Sequence, residues 1–108
     1  MIRVGFITKS MSDGNAQRGV GFYVKRMLPL LKAHCSEYGI EICEINSDYE
    51  LSTNNYELIH YPYFDLFYHT LPIFHKTKTV VTVHDVIPLE FPNIYKCGIK
   101  GWINLQLQ

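Results

Sequence analysis

An excess of charge of either sign is missing from these 108 residues: ten basic side chains meet ten acidic ones, and the formal net charge is zero. Without a basic stripe there is no electrostatic footprint for nucleic acid, and without a charged tail there is none for a charged partner. Long apolar runs are missing too, since none approaches the ~18 residues a membrane-spanning helix needs. Met1-Ile2-Arg3-Val4 opens a strand rather than a secretion signal. Cysteine is scarce. Cys35, Cys43 and Cys97 are odd in number and lack metal-ligand spacing, which argues against a disulfide framework and against a zinc module. Internal repeats and low-complexity tracts are also lacking. What remains is 47% hydrophobic and 19% charged, the balance of one globular domain. A chain of this length buries roughly two thirds of its unfolded surface. The expectation is an intracellular α/β chain with reduced thiols.

Apolar periodicity divides the chain. Residues 2–8 read as a buried strand, followed by a polar loop over 9–18 rich in Ser, Asn and Gly. Val20, Val24, Met27, Leu28 and Leu31 then recur at helical spacing, which predicts a helix over 19–34. Pro29 falls inside it and predicts a kink or break, because an interior proline costs about 3 kcal/mol. Further strands are expected over 40–45, 57–61 and 79–84, that over 40–45 near a sheet edge, with a polar loop over 46–55. The last strand, with Val80, Val81 and Val83, reads as covered on both faces. The aromatic segment 64–75 is ambiguous, and a helix begins somewhere after Tyr95. Strand, helix and three more strands make the start of a parallel, Rossmann-like sheet flanked by helices.

In such sheets ligands bind outside the carboxyl ends of the strands, and three chemically distinctive segments fall there. Arg18-Gly19-Val20-Gly21 opens the helix, where backbone amides and the helix dipole favour a phosphate; equally, it reads as a flexible helix start. His60-Tyr61-Pro62-Tyr63 offers an imidazole and aromatic faces suited to sugar stacking, though aromatic clusters also build cores. His84-Asp85 ends the valine-rich strand just before Pro88 and Pro92. His84 can bond or polarise a substrate group, or be satisfied by loop backbone. Asp85 can orient His84 or bind a hydroxyl, or close an Asx-turn. His34, His69 and His75 have no partner at ligand spacing and read as surface residues.

Together, RGVGFYVKRMLPLL, YELIHYPYFD and TVVTVHDVIPLEFP resemble the N-terminal domain of retaining glycosyltransferases of the GT-B fold, the large group-one family (family four). The resemblance runs over essentially the whole chain. It implies an enzyme that transfers a hexose-type sugar (mannosyltransferase-like) from a nucleotide-sugar donor with retention, in a cleft between two domains. Gly19 and Gly21 then lie beside the donor diphosphate. His84 matches the strand-end histidine that contacts the transferred sugar, and Asp85 the acid that follows it. His60, Tyr61 and Tyr63 line the acceptor side.

The resemblance further implies that no metal or other cofactor is needed, because cationic side chains of the second domain act on the diphosphate. The acceptor would be a glycan or a lipid-linked molecule. Residues 1–108 would be a partial acceptor-side domain, inactive without the C-terminal donor-binding domain, in the cytoplasm or peripheral at the inner membrane face. The competing readings are a non-catalytic half-domain that binds a phosphate or a sugar, and a flavodoxin-like regulatory protein. The second predicts an acidic or flavin-binding loop directly after the first strand, where this chain has a Ser/Asn/Gly loop.

Overall fold

Four short apolar runs form four parallel strands. The computed structural model describes residues 1–11, 19–53, 55–68, 70–73 and 76–108. Strands β1 (Ile2–Ile7), β2 (Ile40–Ile45), β3 (Leu58–Tyr61) and β4 (Lys78–Val81) make one sheet in the order β2-β1-β3-β4, each neighbouring pair parallel. Helix α1 (Gly19–Cys35) links β1 to β2, and α2 (Asp48–Thr53) lies between β2 and β3. A short helix α3 (Ile87–Glu90) and then α4 (Gly98–Leu107) follow β4. This is the expected α/β class, a parallel sheet flanked by helices. The expected 9–18 loop is a 3-10 turn over Lys9–Met11, and 12–18 lie outside the described residues.

Register decides which side chains share a face. Phe6 stands level with Glu44 of β2 and His60 of β3, and Gly5 with Cys43 and Ile59. On the first face α1 delivers Val24 and Leu28 onto Phe6, and Phe6 and Val24 are wholly buried. Met11, Met27, Leu31 and Ile42 surround them. On the opposite face, Gly5 makes room for the Ile45 side chain and the Tyr56 ring.

Four expectations need correction. Pro29 does not break the helix, since α1 runs through it as one element. Pro29 is exposed, and the flanking Leu28 and Leu31 are held against Phe6, so core burial outweighs the lost hydrogen bond. Residues 46–55 are not all loop. Ser47 Oγ accepts from the Glu50 amide at 3.3 Å and Glu50 Oε2 from the Asn46 amide at 2.8 Å, an arrangement close to a capping box that starts α2.

Strand β4 is an edge strand, not one covered on both faces: α1 sits over β1 and β2, leaving Val80 45% exposed. It also ends early, at Val81, with one further ladder bond from Thr82 N to the Tyr61 carbonyl at 2.9 Å. Alternate residues of a strand bond the same neighbour, so after Tyr61 the next donor toward β4 would be the Tyr63 amide, which lies beyond the end of β3.

Helix α4 is inverted in character. Gly101, Asn104, Leu105 and Gln108 form the stripe at helical spacing that is buried or half-buried, while Ile99, Trp102, Ile103 and Leu107 are exposed. With Val83, Ile87, Phe91 and Ile94 also exposed, much apolar surface meets solvent.

Two outcomes follow. Gly5→Val should lower stability by about 1–3 kcal/mol, the usual range for overpacking. The reason is that a Cβ presses on Ile45 Cδ1 and stands 3.2 Å from Tyr56 Cγ; an unchanged denaturation midpoint would refute this. The chain should also self-associate with concentration in sedimentation velocity. The Trp102→Glu/Ile103→Lys double variant should shift it toward monomer, and a wild-type distribution constant across a dilution series would count against the idea.

Candidate functional site

The β3–β4 ladder stops after Tyr61, and the side chain of His84 makes the next bond between the two segments. His84 Nε2 lies 2.8 Å from the Pro62 carbonyl oxygen. A carbonyl only accepts, so Nε2 carries the hydrogen and the lone pair of the neutral ring sits on Nδ1. The ring also meets Tyr23 of α1 edge-on, with centroids 4.8 Å apart and planes at 83°. One imidazole thus ties together the segments after β3 and β4 and the start of α1.

Beside it opens a cleft of about 280 Å³, at the small end of ligand sites. One wall is Tyr63, Phe64, Asp65, Leu66 and Phe67, which follow β3. The other is His84, Asp85 and Pro88, which follow β4, and Val20 of α1 closes one side. The chain leaves β1 for β2 on one side and returns to β3 on the other, so the cleft borders the strand-order reversal where parallel sheets hold ligands.

Asp65 organises the first wall. Its Oδ1 accepts from the Phe67 and Tyr68 amides at 2.9 and 3.1 Å, and its Oδ2 from the Tyr63 hydroxyl at 2.7 Å. Asp85 is half engaged, with Oδ1 accepting from the Ile87 amide at 3.2 Å, which closes an Asx-turn into α3. The structural roles open to His84 and Asp85, a bond to loop backbone and an Asx-turn, are therefore both filled. Each still presents one acceptor atom, Nδ1 and Oδ2, with no hydrogen-bond partner among the described residues.

The residues singled out from the sequence divide. His84, Asp85 and Tyr63 meet in the cleft. Gly19 is exposed at the first position of α1 and Gly21 is buried in its first turn; Val20 between them is the residue that reaches the cleft. Arg18, His69 and His75 lie outside the described residues, and His34 is exposed.

His60 and Tyr61 do not line the cleft. Side-chain alternation along β3 sends His60 under α1, where Nε2 meets Thr82 Oγ1 at 3.0 Å and the ring stands edge-on to Phe6 at 5.0 Å. Tyr61 points to the opposite face and is buried; burial first, then the charge of Asp48, raises its pKa. Asp65 was missed from sequence, although an Asp followed by an aromatic run is an Asx-turn signal. Among the described residues no group of His, Cys, Asp and Glu could hold a metal ion, and no helix is long and apolar enough to cross a membrane. Comparison with protein-family models, with curated proteins and with solved structures finds no match to this chain.

Burial lowers the His60 pKa below its ordinary value. In the window between the folded value and the unfolded value of about 6.5, the unfolded chain binds more protons, so stability rises with pH. The contribution is complete above the unfolded value and is lost as pH falls through the folded one. The melting temperature should therefore drop between about pH 7.5 and about pH 5.5, and His60→Gln should shrink that drop. An equal drop in both proteins would remove His60 as the cause.

Proposed function

We propose that this chain is the acceptor-side part of a retaining glycosyltransferase that uses a nucleotide-sugar donor. The observation that carries the reading is the meeting of His84, Asp85 and Tyr63 in one cleft beside the start of α1. Those residues come from segments far apart in sequence, and they belong to the motifs in which the family resemblance was found. The groups present suit the chemistry. Cleaving a sugar–phosphate bond builds positive character at the anomeric carbon and negative charge on the leaving diphosphate, and preorganised dipoles stabilise both better than water does. His84 Nδ1 and Asp85 Oδ2 supply electron-rich atoms toward the sugar. The amides at the start of α1, a 17-residue helix, supply the positive dipole end toward the phosphates. The Tyr63, Phe64 and Phe67 rings offer faces for sugar C–H groups. The donor's nucleotide and the cationic groups acting on its diphosphate belong to a second domain, and the acceptor is a glycan or a lipid-linked molecule.

A binding-only half-domain is the second reading, favoured by the structural bonds that His84 and Asp85 already make. The test is made on the protein that carries this chain with its donor-binding domain. His84→Ala also strips the donor from the Pro62 carbonyl, so it confounds folding with catalysis. In His84→Gln a side-chain N–H can replace that bond while the imidazole is lost. The expected result is a melting temperature near wild type and turnover lower by about a hundredfold to a thousandfold, the usual effect of one lost electrostatic contact. Normal turnover by folded His84→Gln would retire the catalytic role. Sugar binding without any transfer activity would establish the binding-only reading instead.

A further inference from the structure

The cleft wall after β3 is not held by the sheet. Within the segment, Asp65 and the Thr70 hydroxyl, which accepts from the Asp65 amide at 3.0 Å and lies 3.3 Å from the Tyr68 carbonyl, tie the turn together. From outside it is held by side chains of α4 and its C-cap. Gln108 Nε2 donates to the carbonyl oxygens of Asp65 and Tyr68 at 2.9 and 3.0 Å, and its Oε1 accepts from the Thr70 and Leu71 amides at 2.9 and 3.3 Å. One turn earlier, Asn104 Nδ2 donates to the Phe67 carbonyl at 3.0 Å. One further turn back, Gly101 is buried against Phe67, where a Cβ would stand 3.2 Å from Phe67 Cβ. Gly101 and Asn104 of α4 and Gln108 at its C-cap fall at helical spacing on one side. They engage a segment with no regular structure whose other face, Asp65 to Phe67, lines the cleft.

We propose that Gln108, seconded by Asn104, is a positioning residue for the cleft. Its primary amide sets the backbone turn that aims Asp65, and through Asp65 the Tyr63 hydroxyl, along the cleft wall. The amide suits the task because it offers two donors and an acceptor in one plane, matched to two carbonyls on one side and two amides on the other. The significance for ligand binding rests on the reading of the cleft given above. The positioning itself is measurable without any ligand, so its failure would leave the transferase test untouched.

Amide hydrogen exchange and two-dimensional NMR on the full chain test it, with the β1 and β3 amides as the control for global folding. In Gln108→Leu the Thr70 and Leu71 amides lose their acceptor directly and exchange faster on any account. The informative amides are Phe67 and Tyr68, which bond to Asp65 and not to Gln108. They should exchange roughly tenfold faster, as expected when local opening becomes easier by about one net hydrogen bond, and the Tyr63 ring signals should shift.

Gln108→Glu separates positioning from packing. The introduced carboxylate is the same size, but its second oxygen faces two carbonyls and cannot donate. The wall should loosen at neutral pH and tighten again as pH falls through the carboxylate range near 4. Phe67 and Tyr68 amides unchanged in Gln108→Leu, or Gln108→Glu matching wild type at neutral pH, would overturn the proposal. Should either variant lose the protection of the sheet, Asn104→Ala decides the matter. It removes only the Phe67 carbonyl's donor and should speed Phe67 and Tyr68 exchange by a smaller factor; no change there would also overturn it.

Discussion

Burial of Phe6 is the interaction on which the remaining structure depends. It sits on β1, between β2 and β3, level with Glu44 and His60, and it receives Val24 and Leu28 from α1. A ring this deeply covered contributes about 1.5–3 kcal/mol of apolar transfer, a large share of what a small domain retains. It also fixes geometry. Holding α1 across β1 and β2 keeps the helix continuous through Pro29 and brings the N-terminal part of α1, with Tyr23, toward His84.

At the carboxyl ends of β3 and β4 a side chain takes the place of the ladder. The parallel ladder between β3 and β4 ends with the bond from Thr82 N to the Tyr61 carbonyl, and the two chains separate beyond it. The gap between them becomes the cleft. His84 bridges the parting by donating to the Pro62 carbonyl, which orients the ring and fixes which nitrogen carries the hydrogen. One side-chain bond thus joins the two segments beyond the ladder and sets the tautomer of the histidine.

Much of the fold was legible in the sequence because apolar spacing encodes faces directly. The strands begin within about one residue of where β-branched and apolar residues cluster, and α1 was readable from Val24, Met27, Leu28 and Leu31. The misreadings share a cause. Helix α2 was hidden in a polar stretch because its signal is a cap, Ser47 with Glu50, rather than an apolar stripe. Exposed Val80 shows that a valine-rich run reports β propensity, and that coverage depends on where a helix from another segment lands. The candidate site was legible in part. His84, Asp85 and Tyr63 could be named from their place after strands, whereas His60 and Tyr61 sit within β3, where alternation turns them away from the cleft.

Local chemistry therefore carried the residue types: the pleated strands, the amphipathic helix, and the polar side chains left over at strand ends. Those depend on backbone sterics and on spacing within a few residues, which a linear chain states outright. Long-range geometry carried the rest. That Asp65 forms a wall with Tyr63, that Gln108 holds that wall from 43 residues away, and that His84 donates to Pro62 across 22 residues are consequences of register and crossover. Such pairings are selected by the free energy of the whole packed sheet, and no local stretch of sequence contains it.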